Sequence, residues 1–272
     1  MSAPSTRQNP ARVVQIAKRG PESVDSARAP ISDRIVRFIE SGEAEKLGAQ
    51  EILSWALKNF HPNIALSCSF GAPEGLAVLD MMHRIEPSSR VFVLDTGRMH
   101  QATYDLIDRV RGRYDKNVEV LFPRAADVQA MVRQDGLNLF YESVEQRQLC
   151  CRIRKVEPLN RYLEGVDAWI TGLRRDQTAN RSDARKIEID AVHGGIVKLN
   201  PIADWTRERV MQYIDAHNVP INRLHADGYP SVGCAPCSRA IAPGDDPRSG
   251  RWWWEQDSSK ECGMHEELGS GI

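Results

Sequence analysis

Apolar positions along this chain follow two periods that take turns. The runs NIALSCSF (63–70), RVFVLDTG (90–97), VEVLFP (118–123) and DAWITGL (167–173) are short and apolar, bounded by small or turn-forming residues, as strands buried in a sheet are. Between them EGLAVLDMMHRI, HQATYDLIDRVRGRY, AADVQAMVRQDG and CRIRKVEPLNRYLEG repeat apolar residues at helical spacing, with a bend or break expected at Pro158. Two helices precede the first strand: SDRIVRFIESG, with Ser32 or Asp33 as N-cap, and AQEILSWALKNF. KIEIDAV, GIVKLNPI and the helix RERVMQYIDAHN continue the same domain. The alternation predicts an α/β fold, a parallel sheet with helices on both faces. No internal repeat is present.

The two ends read differently. Residues 1–30, rich in Ser, Pro, Ala and Arg without an apolar period, are expected to be disordered. The α/β domain is expected over 31–230. Beyond Pro230 the periodicity stops, and 231–272 reads as a loop-rich segment folded against the domain and ending in a mobile tail. The 272 residues are 41% hydrophobic, enough for a full core, and carry a net charge of −1, which argues against a general nucleic-acid binder. No run approaches the roughly 20 apolar residues of a membrane span, and the N-terminus has no apolar signal region, so a cytoplasmic protein is expected. Six cysteines in that reducing compartment point to metal binding or catalysis rather than disulfides.

Ligands of doubly wound sheets bind beyond the carboxyl ends of strands, where the N–H groups of a following helix suit an anion. At the first such end Ser67, Ser69 and Gly71 offer hydroxyls and close backbone approach; the alternative is an ordinary strand-to-helix turn. At the second, Leu94 would pack on a base, with Thr96 and Gly97 as polar contacts. At the third, TGLRRDQTANRSD carries Gly172, expected to touch the ligand, and Arg174, Arg175 and Arg181, which would attract an anionic substrate. The first turn is neither a Walker loop nor the S-G-G-x-D-S turn of ATP pyrophosphatases, which weighs against ATP splitting.

Cys150 and Cys151 are adjacent; Cys234 and Cys237 form a C-x-x-C pair. Four thiolates suit a structural zinc or an iron–sulfur cluster. The C-x-x-C spacing fits either. Neighbouring side chains diverge, which makes convergence on one small ion awkward and favours a body with corners farther apart. By chemistry alone both readings stand, with unligated thiols a weaker third.

CCRIRKVEPL, GCAPC, GRWWWE and KECGMH, in that order, resemble the assimilatory adenylyl-sulfate (APS) reductases, relatives of the 3′-phosphoadenylyl-sulfate (PAPS) reductases. The resemblance runs from about residue 50 to 266. It implies the adenine-nucleotide α-hydrolase-like fold and a [4Fe–4S] cluster held by Cys150, Cys151, Cys234 and Cys237. The family's first turn often reads S-F-S-G-A-E-D. Here it is SCSFGAPEG, closer to the S-S-F-G of the PAPS enzymes, and Pro73 removes a backbone donor.

The resemblance makes Cys262 the nucleophile. Its thiolate would take the sulfonate from APS, expel AMP, and be cleared by thioredoxin or a similar dithiol protein with release of sulfite, for cysteine synthesis. It also places anion-binding roles on Lys155, Arg248, Arg251 and His265. Spacing agrees: Lys155 is four residues past Cys151, Arg248 and Arg251 are three apart, and His265 is three past Cys262. Trp252, Trp253 and Trp254 are expected to anchor the base of the tail, and Cys68 to be a small packing residue. The competing readings are PAPS or dual specificity and, farther off, a zinc-stabilised nucleotide-binding module. Oligomeric state is left open, a homo-oligomer included.

Overall fold

The computed structural model describes residues 31–178 and 181–255. Six strands form one sheet in the order β3-β2-β1-β4-β6-β5. They are β1 (Ile64–Ser67), β2 (Arg90–Leu94), β3 (Val118–Leu121), β4 (Ala168–Ile170), β5 (Ile187–Asp190) and β6 (Ile196–Leu199). The chain winds outward from β1 to β3, then returns to lay β4 on β1's other side. The direction of winding therefore reverses between β1 and β4, where ligands of such sheets bind.

All pairings are parallel except β5 with β6. The expectation of a parallel sheet thus needs one amendment, an antiparallel edge. A crossover to a parallel strand takes a dozen or more residues, and only a short turn with Gly194 and Gly195 at positive φ links β5 to β6.

Helices α1 (Asp33–Glu40), α2 (Ala49–Phe60), α3 (Pro73–Ile85), α4 (Gln101–Tyr114), α5 (Ala125–Asp135), α6 (Val144–Cys151), α7 (Glu157–Leu163) and α8 (Arg207–Ala216) complete the set. Ser32 is the N-cap of α1, with its carbonyl rather than its side chain holding the first turn. Buried residues from α1, α2, α3, α4 and α8 form the main apolar core against β1, β2, β4 and β6. A second core of Ala65, Phe92, Leu159, Leu163, Val166, Trp169 and Ile196 lies against α7.

Between α6 and α7 the backbone widens into a π-helical turn, Arg152–Val156, in place of the expected break at Pro158. Proline has no N–H for the carbonyl four residues back, and the wider turn absorbs that mismatch without ending the rod. Arg154 and Lys155 lie on this turn. Residues 231–255 run as turns and short bridges, joined to the domain by pairing of Met99 with Cys234.

Candidate active site

Cys150 and Cys151 end α6, while Cys234 and Cys237 bound a single turn closed by Cys237 N–H donating to the Cys234 carbonyl at 3.0 Å. Ala235 N–H donates to the Arg98 carbonyl at 2.7 Å, docking that turn on the segment after β2. All four thiols line one cavity, with Arg98, Arg147, Arg154, Lys155 and Arg251 around them and no carboxylate in its wall among the described residues. Among the described residues no group of three or more His, Cys, Asp or Glu is placed to hold a metal ion. Shared occupancy of a cavity and convergence on one point are therefore different here.

Three buried donor atoms of that wall, Arg98 Nη1, Arg154 Nε and Trp252 Nε1, have no hydrogen-bond acceptor among the described residues. Each such group costs about 1–3 kcal/mol if left unpaired. Their gathering with four thiols and five cations fits an anionic, sulfur-rich occupant. Burial opposes ionisation of Cys234, yet Lys155, the Thr96 hydroxyl (Oγ1 3.3 Å from Sγ), Arg251 and Arg154 together hold its thiol below the ordinary value. Burial raises Cys150 and pushes Cys237 up to about 12.

A larger open cleft lies over the carboxyl ends of β1 and β4. Ser67, Ser69, Gly172, Arg181, Arg248 and Arg251 line it, and so does Lys155. A side pocket under it is lined by Ser67, Cys68, Ser69, Gly71, Leu94 and Thr96, again with Lys155. Lys155 thus stands where thiol cavity, cleft and side pocket meet, and is the residue common to all three walls.

The predicted residues that lie among the described ones line these three spaces, with three adjustments of role. Gly71 is required by protein rather than ligand: a Cβ there would run into the Val232 carbonyl. Gly172 likewise allows the end of β4 to approach α3, its Cβ position lying 2.7 Å from Gly75 N. Thr96 supports Cys234 and receives the Arg98 N–H as well as facing the side pocket. Cys262 and His265 lie outside the described residues.

The expected anion site at the start of α3 is altered too. Pro73 supplies no N–H, and the Glu74 carboxylate is buried there, paired with Arg174 at 3.2 Å. Arg174 also meets Asp176 at 3.3 Å, and Arg175 turns to Glu45 at 2.6 Å. Of the three arginines expected to attract substrate, Arg181 faces the cleft braced at 2.6 Å by Gln177, while Arg174 is already neutralised. Sequence reasoning missed Arg207, which lines the cleft, and Arg98, Arg147 and Arg154 in the thiol cavity. For Arg147 and Arg154 a signal existed, at helical spacing three before and four after Cys150.

Trp252 is buried between two guanidinium groups, Arg147 and Arg251, each 4.7 Å from its ring. Arg147 forms a buried ion pair with Glu255 at 2.8 Å. Trp254 packs on Tyr141, and Trp253 is half-exposed under Arg239. The tryptophans thus fasten residues 252–255 to α6 and its approach, as expected of an anchor.

Fold and site define the class: an α/β protein of the adenine-nucleotide α-hydrolase-like kind, with a cleft at the sheet's switch point and a four-thiol cavity beside it. The solved PAPS reductase of Candida auris, a phosphate complex, shares the fold at TM-score 0.65 and 28% identity, covering 79% of this chain and 100% of that one. Candida glabrata FMN adenylyltransferase, in complex with FMN and an ATP analogue, matches in fold alone at TM-score 0.50 and 15% identity, covering 84% and 76%.

A model of the phosphoadenosine phosphosulfate reductase domain matches residues 63–240, and the chain belongs to that family. Adenosine 5′-phosphosulfate reductase of Burkholderia cepacia is 49% identical over 205 residues, covering 75% of this chain and 81% of that protein. The enzyme of the same name from Allochromatium vinosum is 44% identical over 217 residues, covering 80% and 84%. The chloroplastic 5′-adenylylsulfate reductase 3 of Arabidopsis thaliana is 44% identical over 229 residues, and the match spans 49% of its length. Among the described residues no helix is long and apolar enough to cross a membrane.

Proposed function

We propose that this protein reduces adenylyl sulfate to sulfite and AMP in sulfate assimilation. The observation that carries the reading is Lys155, set where the four-thiol cavity opens toward a cleft edged by Arg181, Arg248 and Arg251. Family membership and relatives named for APS reduction support the substrate. The adenosine would enter the side pocket against Leu94, with Ser67 and Ser69 at its polar edge. The phosphosulfate would lie in the cleft, where arginine forks suit oxyanions.

Cys150, Cys151, Cys234 and Cys237 would hold a [4Fe–4S] cluster, to which the donors and cations of the cavity wall are suited. When bound, the cluster would supply fixed negative charge that keeps the Lys155 side chain protonated at the border of the cavity and the cleft. Lys155 and Arg251, lining both spaces, would orient the sulfonate and neutralise the phosphate as it becomes a leaving group. Cys262, as thiolate, would attack the sulfate sulfur. The S–O bond to AMP breaks, and the cysteine carries the sulfonate, with His265 alongside. One thiolate of thioredoxin would then attack Cys262 Sγ, releasing sulfite. Its second thiol would resolve the mixed disulfide, so that thioredoxin supplies both electrons.

Sulfite and AMP formation from APS and from PAPS, each with reduced thioredoxin, tests the reading. Expected is APS turnover with a higher kcat/KM than PAPS, abolished in Cys262→Ser. A kcat/KM at least as high with PAPS would assign the chain to the related substrate, a reading favoured by its S-F-G first turn. No sulfite from either would end the proposal.

A further inference from the structure

We infer that the exposed rings of Tyr141 and Trp253 are the landing surface for the dithiol protein that clears Cys262. This rests on the reading above, in which a partner thiolate attacks Cys262 Sγ and releases sulfite, and it says where that partner settles. Among the described residues three Phe, Tyr or Trp side chains are exposed: Phe122, Tyr141 and Trp253. Phe122 follows β3 at the edge of the sheet, away from any other exposed ring. Tyr141 and Trp253, each 43% exposed, lie 6.4 Å apart between ring centroids, and the Arg239 guanidinium sits 4.7 Å from the Trp253 ring.

Both rings are held from beneath. Tyr141 packs edge-on against Trp254 at 4.4 Å, and its hydroxyl donates to the Pro236 carbonyl at 3.3 Å, inside the Cys234–Cys237 turn. Buried Trp252 and the buried Arg147–Glu255 pair fix the backbone on either side of Trp253. With Trp252 buried and Trp254 half-buried, Trp253 is the one of the three tryptophans that turns outward. A ring already held in place loses little freedom when a partner covers it, and Tyr and Trp are enriched among residues that carry binding energy. The chain itself points to the occupant. Cys262 follows Glu255 by seven residues, a reach of at most about 25 Å. A protein whose dithiol meets that cysteine must rest on surface near the root of this tether, and Trp253 is two residues from it. Residues 256–261, QDSSKE, have no apolar side chain to lay on the rings themselves.

Trp253→Gln, Trp253→Phe, Arg239→Gln and Phe122→Gln test this in full-length protein prepared without oxygen. Each is charged with APS to form the Cys262 adduct, and sulfite release is then timed with reduced thioredoxin and, separately, with dithiothreitol. Expected for Trp253→Gln is release by thioredoxin on the order of tenfold slower, with adduct formation and release by dithiothreitol at wild-type rates. Trp253→Phe should recover most of the loss, Arg239→Gln should show a smaller loss towards thioredoxin alone, and Phe122→Gln should match wild type. Wild-type rates with thioredoxin in both Trp253→Gln and Arg239→Gln would overturn the inference. So would equal slowing towards thioredoxin and dithiothreitol, which makes Trp253 an anchor only, or a wild-type oligomer that Trp253→Gln dissociates, which gives the rings to a second copy of the chain. Wild-type protein that forms no adduct on Cys262 would overturn the acceptor assignment and this inference together.

Discussion

Lys155 lines the thiol cavity, the cleft and the side pocket alike, and its position depends on a backbone feature smaller than an element. Four residues past Cys151 on an α-helix it would share that cysteine's face. On the π-helical turn it still lines the thiol cavity, while also reaching the cleft and the side pocket. Lys155→Ala should lower kcat/KM with APS on the order of 10²–10³-fold, the cost of one preorganised electrostatic contact to developing charge. Iron and sulfide per chain should stay at wild-type values. Full turnover with full iron would remove Lys155 from the mechanism. The spacing of the cysteines and of Lys155 was legible from residues alone, because it is local. The company of Arg98 and Arg251 was not, since α4's approach, α6–α7 and the C-terminal segment must fold before these side chains meet.

Elements hold the site through close backbone approaches and buried ion pairs. The loop carrying Val232 crosses the turn at Gly71, leaving no room for a side chain. Gly71→Ala should lose about 1–3 kcal/mol of unfolding free energy by overpacking. Gly112→Ala, on an open face of α4, should be neutral or stabilising by up to about 1 kcal/mol. Equal urea midpoints for the two variants would contradict this. Arg147 and Glu255, with side chains 2% and 4% exposed, tie α6 to the end of the described chain. Glu255→Ala should cost about 3–5 kcal/mol in the same assay by removing the carboxylate that pairs with a buried guanidinium, and a loss within 0.5 kcal/mol, roughly that of a surface change, would show the pair to be dispensable. The helical character of α2 and α5 followed from the apolar period. The antiparallel β5 followed from a link too short for a crossover, a signal present in the sequence that the alternation of strands and helices obscured. The π turn had only Pro158 as its trace, which marks a discontinuity without saying how the backbone absorbs it.

Across the molecule, buried titratable groups make the fold sensitive to acid. Burial chiefly holds His83 and His225 below their ordinary 6.5, so they stay neutral in the fold while the unfolded chain takes up protons as pH falls below that value. Stability is then full above about 6.5 and declines beneath it. Burial would raise Asp80, but Arg84, Tyr213 and Tyr114 outweigh it and hold the carboxylate below its ordinary value. Its contribution is present above the ordinary carboxylate range and lost as pH falls through its depressed folded value. The urea midpoint should therefore fall between pH 7 and pH 5 and fall further below pH 4; a higher midpoint at pH 5 than at pH 7 would contradict this. The cleft and the four-thiol cavity beside it share Lys155, Arg251 and Trp252, an arrangement suited to the proposed transfer of sulfur from a nucleotide to Cys262. Reduced protein mixed with APS, thioredoxin omitted, and weighed intact and after digestion tests that directly. Expected is one added SO₃ on the peptide containing Cys262, removed by reduced thioredoxin with release of sulfite. Protein complete in iron and sulfide that gains no adduct, or gains it on another cysteine, would contradict the assignment of Cys262 as the acceptor.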